Sequence, residues 1–167
     1  MATPTNLPAS QTTGNVLTAA YVNDLRGAFR VLQVVYGSTS TATTNNTSTF
    51  ADTSLTASIT PQSSSSKVLV MVSQNGCFKS SANAENRMNI RLVRGATTIA
   101  KMSGDLFLYT GNAESNGASA SISYLDEPAT TSATTYKTTF MNPNNTAACI
   151  VQEGSAVSTI VLMEISA

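Results

Sequence analysis

A chain of 167 residues is long enough to bury one sizeable core, and its composition calls for no second domain. Only 11% of the residues are charged, Lys+Arg and Asp+Glu balance at 9 each, and there is no histidine. That balance argues against nucleic-acid binding, and the missing imidazole removes the commonest general base and zinc ligand. Hydrophobic residues make up 41% and recur in patterns, so the abundant Ser and Thr mark an uncharged polar surface rather than disorder. No apolar run approaches the roughly 20 residues of a membrane span. There is no polybasic run, and MATPTNLPAS lacks the basic and apolar regions of a signal peptide, so synthesis in a cytoplasm and no membrane partner are expected.

Residues 1–14, rich in Pro, Thr, Ser and Gly, predict an extended arm. From Val16 a helical period begins. Thr18 is a candidate cap, Val22, Leu25, Phe29, Leu32 and Tyr36 follow a 3,4,3,4 spacing, and Tyr21, Leu25, Ala28, Leu32 and Val35 form a second seam. A helix with so broad an apolar face packs against its own domain or against copies of itself. Its last part, VLQVVYG, could also start a strand. STSTATTNNTST then predicts a polar linker, giving an expected division into residues 1–36 (arm and helix), 37–49 (linker) and 50–167 (sandwich).

From Phe50 the period changes to two. Leu55, Ala57 and Ile59 alternate with polar residues before Pro61 ends the strand. In KVLVMVSQNG, Val68, Val70 and Val72 face one way while Leu69 and Met71 face the other. Met88, Ile90 and Leu92 alternate up to a turn at Arg94-Gly95-Ala96, and Ile99 lies in the strand that follows. DLFLYT is a further short strand, and Asn116-Gly117 is a turn signal. Tyr136, Thr138 and Phe140 share a face before a turn at Asn142-Pro143. In the closing strand Ile160 and Leu162 oppose Val161, Met163 and Ile165. Some eight short strands without intervening helices predict a mainly β, antiparallel two-sheet sandwich with an N-terminal arm and a short α-helix.

A sandwich buries one face of each sheet, yet the strands at 67–73 and 159–165 are apolar on both. The second face calls for a partner, and another copy of the same chain is the simplest one. Two parities of 159–165 compete for that role, Ile160 with Leu162 and Val161 with Met163 and Ile165. The candidate interface is Leu25, Phe29 and Leu32 on the helix, with Leu69, Met71, Val161, Met163 and Ile165 on the strands.

Catalytic candidates are thin. Ser64 stands three before Lys67, a match that serine repeats generate by chance, and it enters a strand rather than a helix. Asp126 and Glu127 are adjacent on a strand, point to opposite faces, and read as a solvated strand end for which alanine changes nothing. Arg87 and Arg91 share strand parity and with Arg94 make a local basic cluster that could grip a carboxylate on a partner protein, with a solvated sheet face as the default reading. Cys77 and Cys149 fit two buried thiols better than a disulfide in a cytoplasmically made protein. No catalytic, cofactor-binding or metal residue is expected.

The stretch GNVLTAAYVNDLRGAFRVLQ resembles a recurring opening of tailed-bacteriophage fibre and structural proteins. SYLDEPATTSATTYKTTF, closed by STIVLMEIS, resembles the end of phage jelly-roll domains of the C1q/tumour-necrosis-factor type. The resemblance implies a jelly-roll-like sandwich, a tight homotrimer and a non-enzymatic role on the virion exterior after synthesis in the host cytoplasm. Residues 1–36 would then dock on capsid or tail proteins. A capsid decoration or head-fibre protein fits a chain without a fibrous shaft; a tail-fibre or receptor-binding knob, with a host-surface glycan as partner, is the alternative. A carbohydrate-binding module is a further alternative, though the chain has no Trp.

Overall fold

A computed structural model describes residues 31–79, 87–106, 116–144 and 147–166, together with isolated positions before residue 31. Ten strands follow in chain order: β1 (Val31–Thr39), β2 (Thr43–Asn45), β3 (Ala51–Ile59), β4 (Lys67–Lys79), β5 (Met88–Arg94), β6 (Thr97–Leu106), β7 (Asn116–Asp126), β8 (Thr134–Met141), β9 (Cys149–Val151) and β10 (Ser158–Ile165). They form two antiparallel sheets packed face to face. One runs β1-β10-β4-β9-β2 with β7 on the other side of β4, and the second runs β3-β8-β5-β6. The period-two reading is realised side chain by side chain: Leu55, Ala57 and Ile59, then Val68, Val70 and Val72, Met88, Ile90 and Leu92, and Tyr136 and Phe140 all point between the sheets and are buried. The turns expected at Gly95 and at Asn142-Pro143 are present. Gly95 adopts a left-handed φ of 58°, a conformation glycine takes without steric cost.

The sandwich begins earlier than expected. Residues 31–36, placed on a helix, are strand, and part of the expected 37–49 linker is β1 and β2. The segment VLQVVY satisfies both periods, but its β-branched valines favour extended backbone. Strand β10 also offers it a full ladder, with Val34 opposite Met163, Val35 opposite Leu162 and Tyr36 opposite Val161. Gly37 lets this edge close onto the other sheet, since a Cβ there would run into the Thr56 carbonyl oxygen and lie 3.0 Å from Ile160. Asn45 in β2 is buried and donates to the Phe140 carbonyl at 2.9 Å, so a polar residue here is structural. Asn116-Gly117, read as a turn, opens β7 instead. The helical seam before residue 31, with Leu25 and Phe29, lies outside the described residues.

Two apolar clusters fill the interior. One gathers Leu55, Ile59, Val70, Tyr136 and Leu162, the other Cys77, Met88, Ile90, Phe140 and Val151. A buried polar tie joins the two sheets. Gln74 of β4 accepts from the Thr138 hydroxyl at 2.8 Å and donates to Ser158 at 3.0 Å, and Thr138 meets Thr53 at 2.5 Å. Because such groups are costly to leave unpaired, the tie fixes how one sheet sits on the other.

A second tie closes one end of the sandwich and corrects the solvated reading of Asp126. Its carboxylate is buried, accepts the Tyr136 hydroxyl at 2.7 Å and pairs with the Arg94 guanidinium at 2.8 Å. Burial, then the hydrogen bond to Asp126, pushes the Tyr136 hydroxyl well above the usual phenol range. Glu127 points outward and meets only Lys67, at 2.6 Å. The two neighbours therefore separate in a thermal melt. Asp126→Ala leaves the buried Tyr136 hydroxyl unpaired and takes the carboxylate from the half-buried Arg94, at a cost of about 2 kcal/mol, whereas Glu127→Ala leaves the midpoint in place. Equal effects would contradict this geometry.

Candidate functional site

Alternation on a sheet and the register between strands determine what the outer face of the β1-β10-β4-β7 layer presents. Inward rows are Val35, Leu162, Val70 and Tyr124, then Gly37, Ile160, Val72 and Ile122. Between them, pointing away from the second sheet, lie Val34, Met163, Leu69 and Leu125 in one row and Tyr36, Val161, Met71 and Ser123 in the next. A third row, Ser38, Thr159, Ser73 and Ser121, is wholly polar. The face is thus a continuous apolar patch with a hydroxyl border. Val34 is 56% exposed, Tyr36 61% and Leu125 52%.

This arrangement decides the parity question. Ile160 and Leu162 are buried inside the sandwich, while Val161 and Met163 stand beside Leu69 and Met71 on the outer face. Ile165 has the same parity and lies opposite Lys67 at the end of the patch. Leu32 is half-buried on β1, beside a register shift, and not on a helix. Leu25 and Phe29 lie outside the described residues. The structure adds Val34, Tyr36 and Leu125 to the surface. The first two were hidden by the helical reading of β1, and Leu125 by attention to the Asp126-Glu127 pair. A depression of about 290 Å³ opens on this face between β10, β4 and β7, with Val161 and Met71 as its apolar wall and Ser121, Ser123 and Thr159 as its polar one.

The chemistry-bearing residues do not converge. The Lys67 ammonium is engaged by Glu127 rather than by Ser64, which is exposed. The basic cluster splits: Arg94 turns between the sheets to Asp126, while Arg91 stays on the outer face of the second sheet, over the Phe50 ring at 3.7 Å. Cys77 and Cys149 are buried thiols that form no disulfide. Burial pushes each up to about 12, which keeps them protonated and poor nucleophiles. Among the described residues no three His, Cys, Asp or Glu side chains gather to hold a metal ion. No described helix is long and apolar enough to cross a membrane. No protein-family model matches the chain, and no curated protein matches it in sequence.

A charge placed in the centre of the apolar face tests what that face does. Met71→Lys, or Leu69→Lys, is tolerated by the isolated protomer because lysine keeps its head in water from a half-exposed position. Where copies of the chain meet through this face, as proposed below, the same change would weaken their association. Size-exclusion profiles should shift to smaller species for both variants, and Ser58→Lys on the outer face of β3 should not shift. A shift for Ser58→Lys alone would place the contact on the other sheet.

Proposed function

We propose that this chain is a non-enzymatic structural protein of a tailed-phage virion, assembled as a homotrimer through the outer face of the β1-β10-β4-β7 sheet. The observation that carries the assembly part is the apolar patch itself. Soluble monomers rarely leave contiguous apolar surface of this kind uncovered. Fully burying a Val, Leu or Met side chain is worth about 1.5–3 kcal/mol. Several such side chains are of the size needed to offset an association cost of roughly 4–15 kcal/mol.

The strand order supports the jelly-roll reading. With β1, β10, β4 and β7 in one sheet and β3, β8, β5 and β6 in the other, consecutive strands cross repeatedly between layers, as two interlocked Greek keys require. The number three and the virion location come from the sequence resemblance. A capsid decoration or head-fibre position on the particle exterior is the reading we favour, and a tail-fibre knob is the alternative. The docking segment shortens from residues 1–36 to residues 1–30, because Val31–Thr39 is committed to the sheet.

Light scattering on the full chain at micromolar concentration should give the mass of three copies, and the chain lacking residues 1–30 should still melt cooperatively as a folded sandwich. The shortened chain should no longer attach to particles. A stable soluble monomer, or undiminished attachment of the shortened chain, would overturn the corresponding half of this proposal.

A further inference from the structure

The second sheet carries on its outer face a positive site that no acidic side chain among the described residues neutralises. The chain has only 9 Lys and Arg residues. Lys67, Arg94 and Lys137 each hold a carboxylate, at 2.6, 2.8 and 2.8 Å. Arg91 and Lys101 hold none among the described residues. They are moreover direct cross-strand partners in the β5–β6 register, an arrangement in which like charges oppose each other at a cost. Both line a pocket of about 290 Å³, with Asn89 and Thr98 as polar neighbours and Phe50 and Met141 as apolar ones.

Arg91 is held ready for a ligand. Its guanidinium lies over the Phe50 ring at 3.7 Å, and its Nε donates to the Thr139 hydroxyl at 2.9 Å. Stacking fixes the plane and the Nε contact fixes the rotation, which leaves the Nη edge as a fork of the spacing a carboxylate accepts. Lys101 is seated by a neighbour: a Cβ at Gly104 would fall 2.5 Å from its Nζ and 2.7 Å from its Cε, so the side chain lies across the bare glycine. The Phe50 side chain and Gly104 thus each position one cation.

We propose that this pocket binds the carboxylate of an acidic sugar residue. Arg91 grips the carboxylate through its Nη edge and Lys101, seated over Gly104, adds a second charge. Asn89 and Thr98 face the hydroxyls, and Met141 meets the C–H face of the ring. A free phosphate would leave the apolar wall untouched. An extended peptide adds to a sheet through backbone hydrogen bonds, and under the pocket those of β5 are taken by β6 on one side and β8 on the other. The site lies on the sheet opposite the proposed assembly face, so it stands or falls independently of that reading.

The test is titration of the full chain with oligosaccharides ending in hexuronate or in sialate. The carboxyl-reduced neutral counterparts, inorganic phosphate and a polyglutamate peptide complete the series. An acidic saccharide should bind and its reduced counterpart should not. Lys101→Gln and Gly104→Val should each weaken binding about tenfold or more, the worth of one charge-assisted hydrogen bond, with unchanged melts. Arg91→Ala should abolish it, and because that change also uncovers Phe50, the Lys101 and Gly104 variants carry the result if Arg91→Ala fails to fold. Failure of every acidic saccharide to bind, equal binding of the neutral form, or equal binding of phosphate or polyglutamate would each overturn the proposal.

Discussion

Strand β4 is the constraint on which the rest of the structure depends. Its backbone is hydrogen-bonded to β10 on one side and β7 on the other through residues 67–73, so its side chains can point only up or down. Val68, Val70 and Val72 point into the sandwich and are buried there. Leu69 and Met71 necessarily emerge on the outside, where β10 adds Val161 and Met163 and β1 adds Val34 and Tyr36. A one-residue slip would exchange the two sets, but each set is apolar. What holds the register is polar. Gln74 further along the strand must meet Thr138 of the other sheet, and Glu164, beside Val68 in the ladder, must accept from Gln33 at 2.6 Å and from the Gln62 backbone at 2.7 Å. Burial raises the Glu164 carboxyl and these hydrogen bonds more than reverse it, so its net position is below the ordinary carboxylate range.

Scarcity of charge makes the placement of each charge informative. With 11% charged residues, the protein spends one pair, Arg94 and Asp126, on closing an end of the sandwich between β5 and β7. Lys137 and Asp52 tie β8 to β3 on the outside. The apolar face has its charges only at the margin, where Lys67 meets Glu127. Exposed pairs like these contribute little to stability. Their position leaves the centre of one sheet apolar, while on the other sheet Arg91 and Lys101 have no anionic partner among the described residues.

Much of this was legible from residue order. Period-two alternation located the inward faces of β3, β5 and β8, because one buried face imposes a pattern that few other arrangements share, whereas β4 and β10 are apolar on both faces and only the register shows which one turns inward. The double-sided strands at 67–73 and 159–165 pointed to a second contact surface before any register was known. The failures have physical causes. VLQVVY fits both a helical and an extended period, and only the ladder with β10 decides between them. TTN in β2 carries no hydrophobic signal, since Asn45 is buried for its hydrogen bonds. Asp126 looked like a solvated strand end, because its partners Arg94 and Tyr136 come from β5 and β8 and only tertiary packing brings them together. The Arg91–Lys101 pocket depends on cross-strand register in the same way, although the basic character of β5 was visible.

The central claim is that the outer face of the β1-β10-β4-β7 sheet is covered by another copy of the chain. Methionine methyl groups report on it directly, because Met71 and Met163 sit within the patch and Met141 lies on the opposite sheet. The assembled protein, labelled at methionine methyls, would be exposed to a soluble paramagnetic agent while relaxation is recorded at each methyl. The account predicts that Met71 and Met163, half-buried in the single chain like Met141, are shielded further while Met141 keeps the relaxation of a half-buried group. Relaxation of Met71 and Met163 as fast as that of Met141 would contradict it.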